Sequence, residues 1–132
     1  MAPWIFLLFM GLLDFGFYAY AIISVENAAR VGAQYTSTGP STAADTAGAC
    51  FQVLEELRMM PNVPTNLAIC TATPVQVTVT ALPGVACPEG IATSDGCTEV
   101  AVTYTTIPLF PLPGLTGQLT ITRRVMEMVK PL

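Results

Sequence analysis

The sequence contains no histidine, and charged residues make up only 11% of its 132 residues. The absence of histidine excludes a Ser-His-Asp triad, a Cys-His dyad and a His-ligated metal site. Glu55 and Glu56 are adjacent and point to different sides of a helix, which makes them a poor catalytic pair. The Ser94-Asp95-Gly96 stretch lacks the other ligands of a calcium loop and indicates a turn. We therefore predict that the protein is not an enzyme and that it needs no metal or cofactor.

Basic residues are also scarce, with five against nine acidic residues and a net charge of −4. Only Arg123 and Arg124 are adjacent, so no basic stripe is available for a phosphate backbone, and we predict no nucleic-acid partner. No basic residue precedes Arg30, whereas a secretory signal begins with a basic region. Because basic residues mark the cytoplasmic side of a membrane protein, Arg30 conflicts with the exported domain that the cysteines indicate. We expect that removal of a short basic leader before Met1 resolves this conflict.

The four cysteines, Cys50, Cys70, Cys87 and Cys97, include no Cys-x-x-Cys pair, which argues against a structural zinc site. An even number of cysteines in a small exported domain is typical of disulfides, and three pairings exist. We favour Cys87–Cys97, because a turn-rich loop between two strand-like runs separates these residues, and this choice leaves Cys50–Cys70. The alternative is a cytosolic protein with reduced, buried cysteines.

The most prominent positive feature is the apolar run at the start of the chain. Asp14 is the only charged residue before Glu26, and Pro3 stands in the first turn, where a helix tolerates proline. A bilayer is spanned by roughly 20 helical residues, so the run predicts a membrane span over 3–24 and an amphipathic extension over 25–38. An aspartate at mid-membrane costs about 2.5–3.5 kcal/mol, which the apolar neighbours at about 0.3–0.6 kcal/mol each outweigh. Two interpretations of Asp14 stay open: it contacts a polar group of a neighbouring subunit, or it is neutral or reaches interfacial water.

Small residues form two adjacent stripes along the second half of this helix. The stripes are Ser24, Ala28, Gly32 and Thr36, and Ala21, Val25, Ala29 and Ala33. Small side chains allow another helix to approach closely, although packing on the chain's own domain is the alternative that we expect for residues 28–36. Gly11 and Gly16 add flat positions to the apolar half. On the opposite side, Glu26 and Arg30 have the spacing of a helical ion pair worth a few tenths of a kcal/mol.

Residues 39–132 predict one small exported α+β head domain. Gly39-Pro40 ends the first helix, and Ser41 or Thr42 is predicted to cap a second, short helix that two prolines close. Alternating apolar and polar residues predict strands over 75–80, over 99–105 and from Leu119 toward Val129. We expect an antiparallel sheet of three to four strands. Its valine face should pack on both helices, and its threonine face should meet solvent.

Two stretches of the N-terminal helix resemble a known family. Residues 3–16, Pro-Trp-Ile-Phe-Leu-Leu-Phe-Met-Gly-Leu-Leu-Asp-Phe-Gly, resemble the opening helix of TadE-like pseudopilins of tight-adherence pili, in which an apolar run closes in Gly-(apolar)2-Glu-Phe-Gly. Residues 25–35 resemble the Asn-Ala-Ala-Arg-x-Gly-Ala-x-Tyr segment of that family. The strand, proline-rich loop and strand after Val100 are similar to the end of those proteins. Asp14 departs from the usual glutamate, and the few residues that the family places before the proline are missing here.

The resemblance implies a pilin-like subunit that inserts into the membrane, is processed by a prepilin-type peptidase and enters a type IV-like filament through the pilus assembly machinery. We thus expect a homo-oligomeric filament at the cell surface with a precursor in the inner membrane. The predicted subunit-packing residues are Asp14, Gly11, Gly16, Ala21, Ala28 and Gly32. Two alternatives are a single-span anchored protein whose exported domain binds a partner, and a minor pseudopilin that initiates or caps a pilus.

Overall fold

The computed structural model describes residues 2–88, 96–107 and 118–131. The helices are α1 (Ala2–Thr36) and α2 (Thr46–Leu57), and the strands are β1 (Thr71–Ala72), β2 (Val75–Leu82), β3 (Cys97–Thr105) and β4 (Thr120–Met128). The strands form one antiparallel sheet in the order β1-β2-β3-β4. This architecture confirms the predicted α+β class. The predicted proline-rich loop and most of the Ser94-Asp95-Gly96 turn lie outside the described residues.

Helix α1 is 35 residues long and changes character along its length. Its second half buries one stripe of mostly small residues: Ala21, Val25, Ala28, Ala29, Gly32, Ala33 and Thr36. This stripe packs on β3 and β4, and α2 packs alongside. The helix ends at Thr36, two residues before the predicted boundary at 38, and Ser37 N–H still donates to Ala33 O at 2.9 Å.

Helix α2 begins after Asp45, whose Oδ1 accepts a hydrogen bond from Gly48 N–H at 3.0 Å. The predicted cap at Ser41 or Thr42 is therefore wrong. The Thr42 hydroxyl instead accepts from Gly39 N–H at 3.2 Å and stabilises the turn after α1. Asp45 is the better cap because a carboxylate satisfies a free N–H and also interacts favourably with the helix dipole.

The sheet buries its valine face under the two helices, as the alternation predicts. Val100 lies opposite Val79 and Val125 in the register, and the fully buried Val102 and Tyr104 continue the same face. On the other face threonines meet solvent, and the hydroxyls of Thr103 and Thr122 lie 3.1 Å apart across β3 and β4.

Two disulfides brace the head in the favoured pairing. Cys50 joins Cys70 with a Cα–Cα distance of 5.7 Å, which ties α2 to the segment leading into β1. Cys87 joins Cys97 with a Cα–Cα distance of 6.0 Å and closes the connection between β2 and β3. Both predicted disulfides are thus confirmed.

Candidate assembly surface

The first half of α1 (residues 2–20, hereafter the bare half) projects its apolar side chains away from the rest of the chain. Its large exposed side chains are Trp4, Ile5, Phe6, Leu7, Leu8, Phe9, Leu12, Leu13, Phe15 and Tyr20, each 46–75% exposed. Helix α1 is long and apolar enough to cross a membrane, and only 11% of its most apolar window is buried. A core helix of a soluble protein would be mostly buried, so the surface of the bare half needs another covering.

Asp14 is the one ionisable carboxylate in the bare half. Its Oδ1 atom has almost no solvent-accessible surface, and no donor within the described ranges hydrogen-bonds to it. An unpaired carboxylate oxygen shielded from water is costly, and more so in hydrocarbon. The polar group that satisfies this atom is therefore to be sought outside the described part of the chain.

Gly11 and Gly16 lie on either side of Asp14. A Cβ atom built at either glycine would meet no atom within 4 Å among the described residues. Both positions are open notches on the helix surface, and nothing within the head requires their small size. Close approach of another helix is the usual reason for such positions in a membrane helix.

The other three predicted packing residues serve the chain's own core. Ala21 and Ala28 have no exposed surface, and Gly32 is also buried. A Cβ at Gly32 would lie 3.2 Å from Val53 Cγ2 of α2 and 3.2 Å from Val100 Cγ1 of β3. The structure thus divides the predicted set, since Gly11, Asp14 and Gly16 lie on the bare half and the other three lie inside the head.

Glu26 and Arg30 lie on the exposed side of α1. Arg30 Nη2 donates to Glu26 Oε1 at 2.7 Å. Because both side chains are substantially exposed, this pair adds little stability and keeps the solvent side of the helix polar.

A hydrogen bond fixes the end of α1 to the start of α2. The Tyr35 hydroxyl donates to Asp45 Oδ2 at 2.7 Å, while Asp45 Oδ1 accepts from Gly48 N–H. The bond from Gly48 N–H, followed by that from Tyr35, lowers the pKa of the Asp45 carboxyl below its usual value. The hydrogen bond to Asp45 also raises the pKa of Tyr35. Sequence reasoning missed this contact, although Asp45 followed by a helical run is a recognisable cap signal.

Together these features define a class: a chain whose described residues include one membrane-capable helix, half bare and half packed into a disulfide-bonded α+β head. The family model described as TadE-like protein matches residues 1–34, which include the bare half and most of the buried stripe. The match confirms the resemblance seen in α1. No curated protein and no solved structure matches the chain. The likeness to TadE-like proteins therefore rests on α1, and the head is known from its own structure.

Proposed function

We propose that the chain is a pilin-like structural subunit. In this proposal the bare half of α1 is held in the inner membrane and then packs against the same helix of other copies in the core of an extracellular type IV-like filament. One observation carries the proposal: an exposed apolar surface is continuous with a helix that is rigidly packed in the head. Burial of that surface among copies would release about 25 cal/mol per Å² of apolar area removed from water.

Identical subunits joined by head-to-tail contacts that do not close into a ring form an open filament. The notches at Gly11 and Gly16 suit close helix packing, and a neighbouring subunit can supply the polar partner that Asp14 Oδ1 lacks. The family match supports a relation to pilus assembly, so a prepilin-type peptidase and the assembly machinery are the proposed processing partners. The role is structural, without catalysis, cofactor or nucleic acid.

Shearing of cells that produce the full chain tests the proposal. We expect the chain in long particles in the detergent-free supernatant, while an unrelated single-span protein of the same membrane stays with the cells. Recovery of the chain only from detergent-solubilised membranes would contradict filament assembly.

A second candidate is a permanently anchored protein whose head binds a partner. It is favoured by exposed apolar side chains on the head, since Phe51 on α2, Met59 just after α2 and Ile69 next to Cys70 of the Cys50–Cys70 disulfide all face solvent. Shearing separates the two candidates, because a permanent anchor stays in the membrane fraction. A minor subunit that initiates or caps a pilus would appear in the sheared particles at a few copies per filament.

A further inference from the structure

Some charged side chains of the head have a partner in the part of the chain that the structure describes, and others have none there. Three ion pairs form among the described residues: Arg30–Glu26, Arg58–Glu55 and Arg124–Glu99. Two further carboxylates accept hydrogen bonds from hydroxyls, Asp45 from Tyr35 and Glu127 from Ser37. Within the described ranges no ion pair or side-chain hydrogen bond engages Glu56, Arg123 or Lys130, and all three residues are exposed. The head therefore presents one unmatched carboxylate on α2 and one unmatched guanidinium on β4, while Lys130 lies two residues past the end of β4 and seven residues from Arg123.

These two charges lie at nearly the same level along α1. Gly32 contacts both Val53 of α2 and Val100 of β3, which sets a common reference height. Glu56 follows Val53 by three residues, a rise of roughly 4.5 Å along a helix. Arg123 is the register partner of Val102, two residues past Val100, which is roughly 6.7 Å along a strand.

The step from Val53 to Glu56 and the step from Val100 to Val102, the partner of Arg123, both lead toward the membrane end of the head. Along α2 the contact with α1 moves from Tyr35 at Asp45 to Gly32 at Val53, so later residues of α2 lie nearer the membrane end of α1. Along β3 the contact moves from Thr36 at Thr98 to Gly32 at Val100, so the same holds for later residues of β3. The heights of Glu56 and Arg123 thus differ by less than one helical turn.

The elements that carry the two charges occupy different sides of the head. Helix α2 packs on β2, whereas α1 packs on β3 and β4. Strand β4 is the last strand of the described sheet, so its far edge is open among the described residues. Residues 108–117, outside the described ranges, contain no acidic residue. Glu89 and Asp95, also outside those ranges, precede β3, whose first residue Cys97 is the register partner of Met128, five residues along β4 from Arg123.

We propose that Arg123 of one subunit forms an ion pair with Glu56 of a neighbouring copy, so that the open edge of β4 meets the α2 side of the next head. This inference rests on the proposed filament function and names the contact between heads. Charge complementarity indicates that the partner is a second copy of this chain, because each copy carries one carboxylate and one guanidinium at nearly the same height along α1. A guanidinium and a carboxylate can also form a bidentate ion pair with two parallel hydrogen bonds, which is stronger than a single one.

Apolar neighbours complete both sides of the contact. Met59 is 80% exposed and lies two residues past the end of α2, three residues after Glu56, while Leu119 is 38% exposed and directly precedes β4. Since the contact uses two different surfaces, it repeats without closing and is compatible with an open filament. Matching heights further require that adjacent heads be offset along α1 by no more than one or two helical turns, roughly 5–11 Å.

Charge reversal in the full chain tests the contact. Arg123→Glu and Glu56→Arg each place like charges together, and each is expected to lower the amount of sheared filament at least about tenfold. The double variant restores the attraction with exchanged signs and should return the yield to within about threefold of the unmodified chain. Restoration by Glu56→Arg identifies the partner of position 123 as protein and excludes a lipid phosphate.

The neighbouring residues provide matched controls. Arg124→Glu and Glu55→Arg change the net charge by the same amount on the same two elements, and the pairs that they disturb within the chain are an exposed one, Arg58–Glu55, and a partly exposed one, Arg124–Glu99. Both controls should leave filament yield within about twofold, because exposed ion pairs contribute little. The amount of membrane-held precursor, with its disulfides formed, is measured for every variant to separate assembly from folding.

A second measurement does not depend on loss of assembly. Arg123→Lys keeps the charge and permits zero-length carbodiimide coupling to a carboxylate, so intact filaments should yield a ladder of linked subunits joined at positions 56 and 123. Filaments that tolerate both reversals and give no such ladder would overturn this contact alone. Absence of the unmodified chain from sheared particles would overturn the proposed function and the contact together.

Discussion

Gly32 is a residue of α1 that lies close to both α2 and β3. A Cβ at this position already lies 3.2 Å from two valine methyl groups, so a branched side chain has no room. We expect Gly32→Val to lower the free energy of unfolding by about 1–3 kcal/mol through overpacking. Urea unfolding of the full chain in detergent micelles, followed by circular dichroism, measures the change.

Gly11 and Gly16 should behave in the opposite way. A Cβ at either position meets nothing within 4 Å, so Gly11→Leu and Gly16→Leu should leave unfolding of the head unchanged. Both substitutions should nevertheless reduce sheared filament about tenfold or more if copies approach closely at these notches. Comparison of the micelle unfolding curves with filament yields separates the two effects. Unaltered filament yield would contradict the packing role of these glycines.

The Tyr35–Asp45 hydrogen bond predicts a defined pH dependence. The folded-state pKa of Asp45 is lowered, so its contribution to stability is present above the ordinary carboxyl pKa of 3.8 and is lost as pH falls through the folded value. The pKa of Tyr35 is raised above 10.0, so its contribution is complete below pH 10 and is lost as pH rises through the folded value. Tyr35→Phe should therefore remove part of the loss of stability above pH 10 and weaken the acid dependence. Thermal unfolding of the unmodified chain and of the Tyr35→Phe variant from pH 2.5 to 11.5 measures this pH dependence of stability.

Tyr104 also contributes to the alkaline loss of stability, in the unmodified chain and in the Tyr35→Phe variant alike. Burial raises the pKa of Tyr104 to about 12, and its hydroxyl donates to Asn62 Oδ1. Ionisation of Tyr104 in the unfolded state therefore continues to reduce stability between pH 10 and pH 12 in the Tyr35→Phe variant. An identical alkaline profile in the two chains would show that the Tyr35 hydroxyl does not stabilise the head.

At the scale of elements, the two disulfides are expected to contribute unequally. Cys50–Cys70 closes a loop with a sequence separation of 20, and Cys87–Cys97 closes one of 10. Replacement of Cys50 and Cys70 together by alanine should lower the free energy of unfolding by about 3 kcal/mol. The matched Cys87→Ala, Cys97→Ala variant should lose about 0.6 kcal/mol less, because loop-closure entropy grows with the logarithm of loop length. Urea unfolding of the three chains tests the order, and a larger loss in the second variant would contradict it.

The elements also show what the sequence can and cannot predict. The apolar run of α1, the alternating valines of β2 and β3 and both disulfides are local or periodic signals, and the structure confirms them. The predicted start of α2 is wrong because serine, threonine and aspartate are all good caps, and tertiary contact with Tyr35 favours Asp45. The two-residue strand β1 has too few residues to show a period.

The candidate site was predictable only in part, for a physical reason. Residue type and spacing identified Gly11, Asp14 and Gly16 as unusual for a membrane helix. The same spacing could not decide whether Ala21, Ala28 and Gly32 face another copy or the chain's own sheet, because small residues suit both. The unmatched charges of Glu56 and Arg123 had no sequence signal, since an ion pair between strands or helices depends on tertiary placement.

At the scale of the whole molecule, α1 fixes the bare half in one rotational setting relative to the head. Insertion of two alanines after Gly16 should rotate Asp14 by about 200° about the helix axis and move it by about 3 Å. Unfolding of the head should be unchanged, because the buried stripe starts at Ala21. Filament yield should fall at least tenfold, as measured by shearing, if the bare half and the heads assemble in a single register. Full assembly of the insertion variant would indicate that the two halves act independently.

The uninterrupted course of α1 has a mechanical consequence. Tension applied to the leading end of a subunit passes straight into the sheet, with no flexible linker to absorb it. The load is then shared as shear along the stripe from Ala21 to Thr36, and beyond it by the bond from Lys130 N–H to Ser37 O at 2.9 Å. In the proposed filament, each copy would therefore transmit load from its leading helix to its sheet through this stripe.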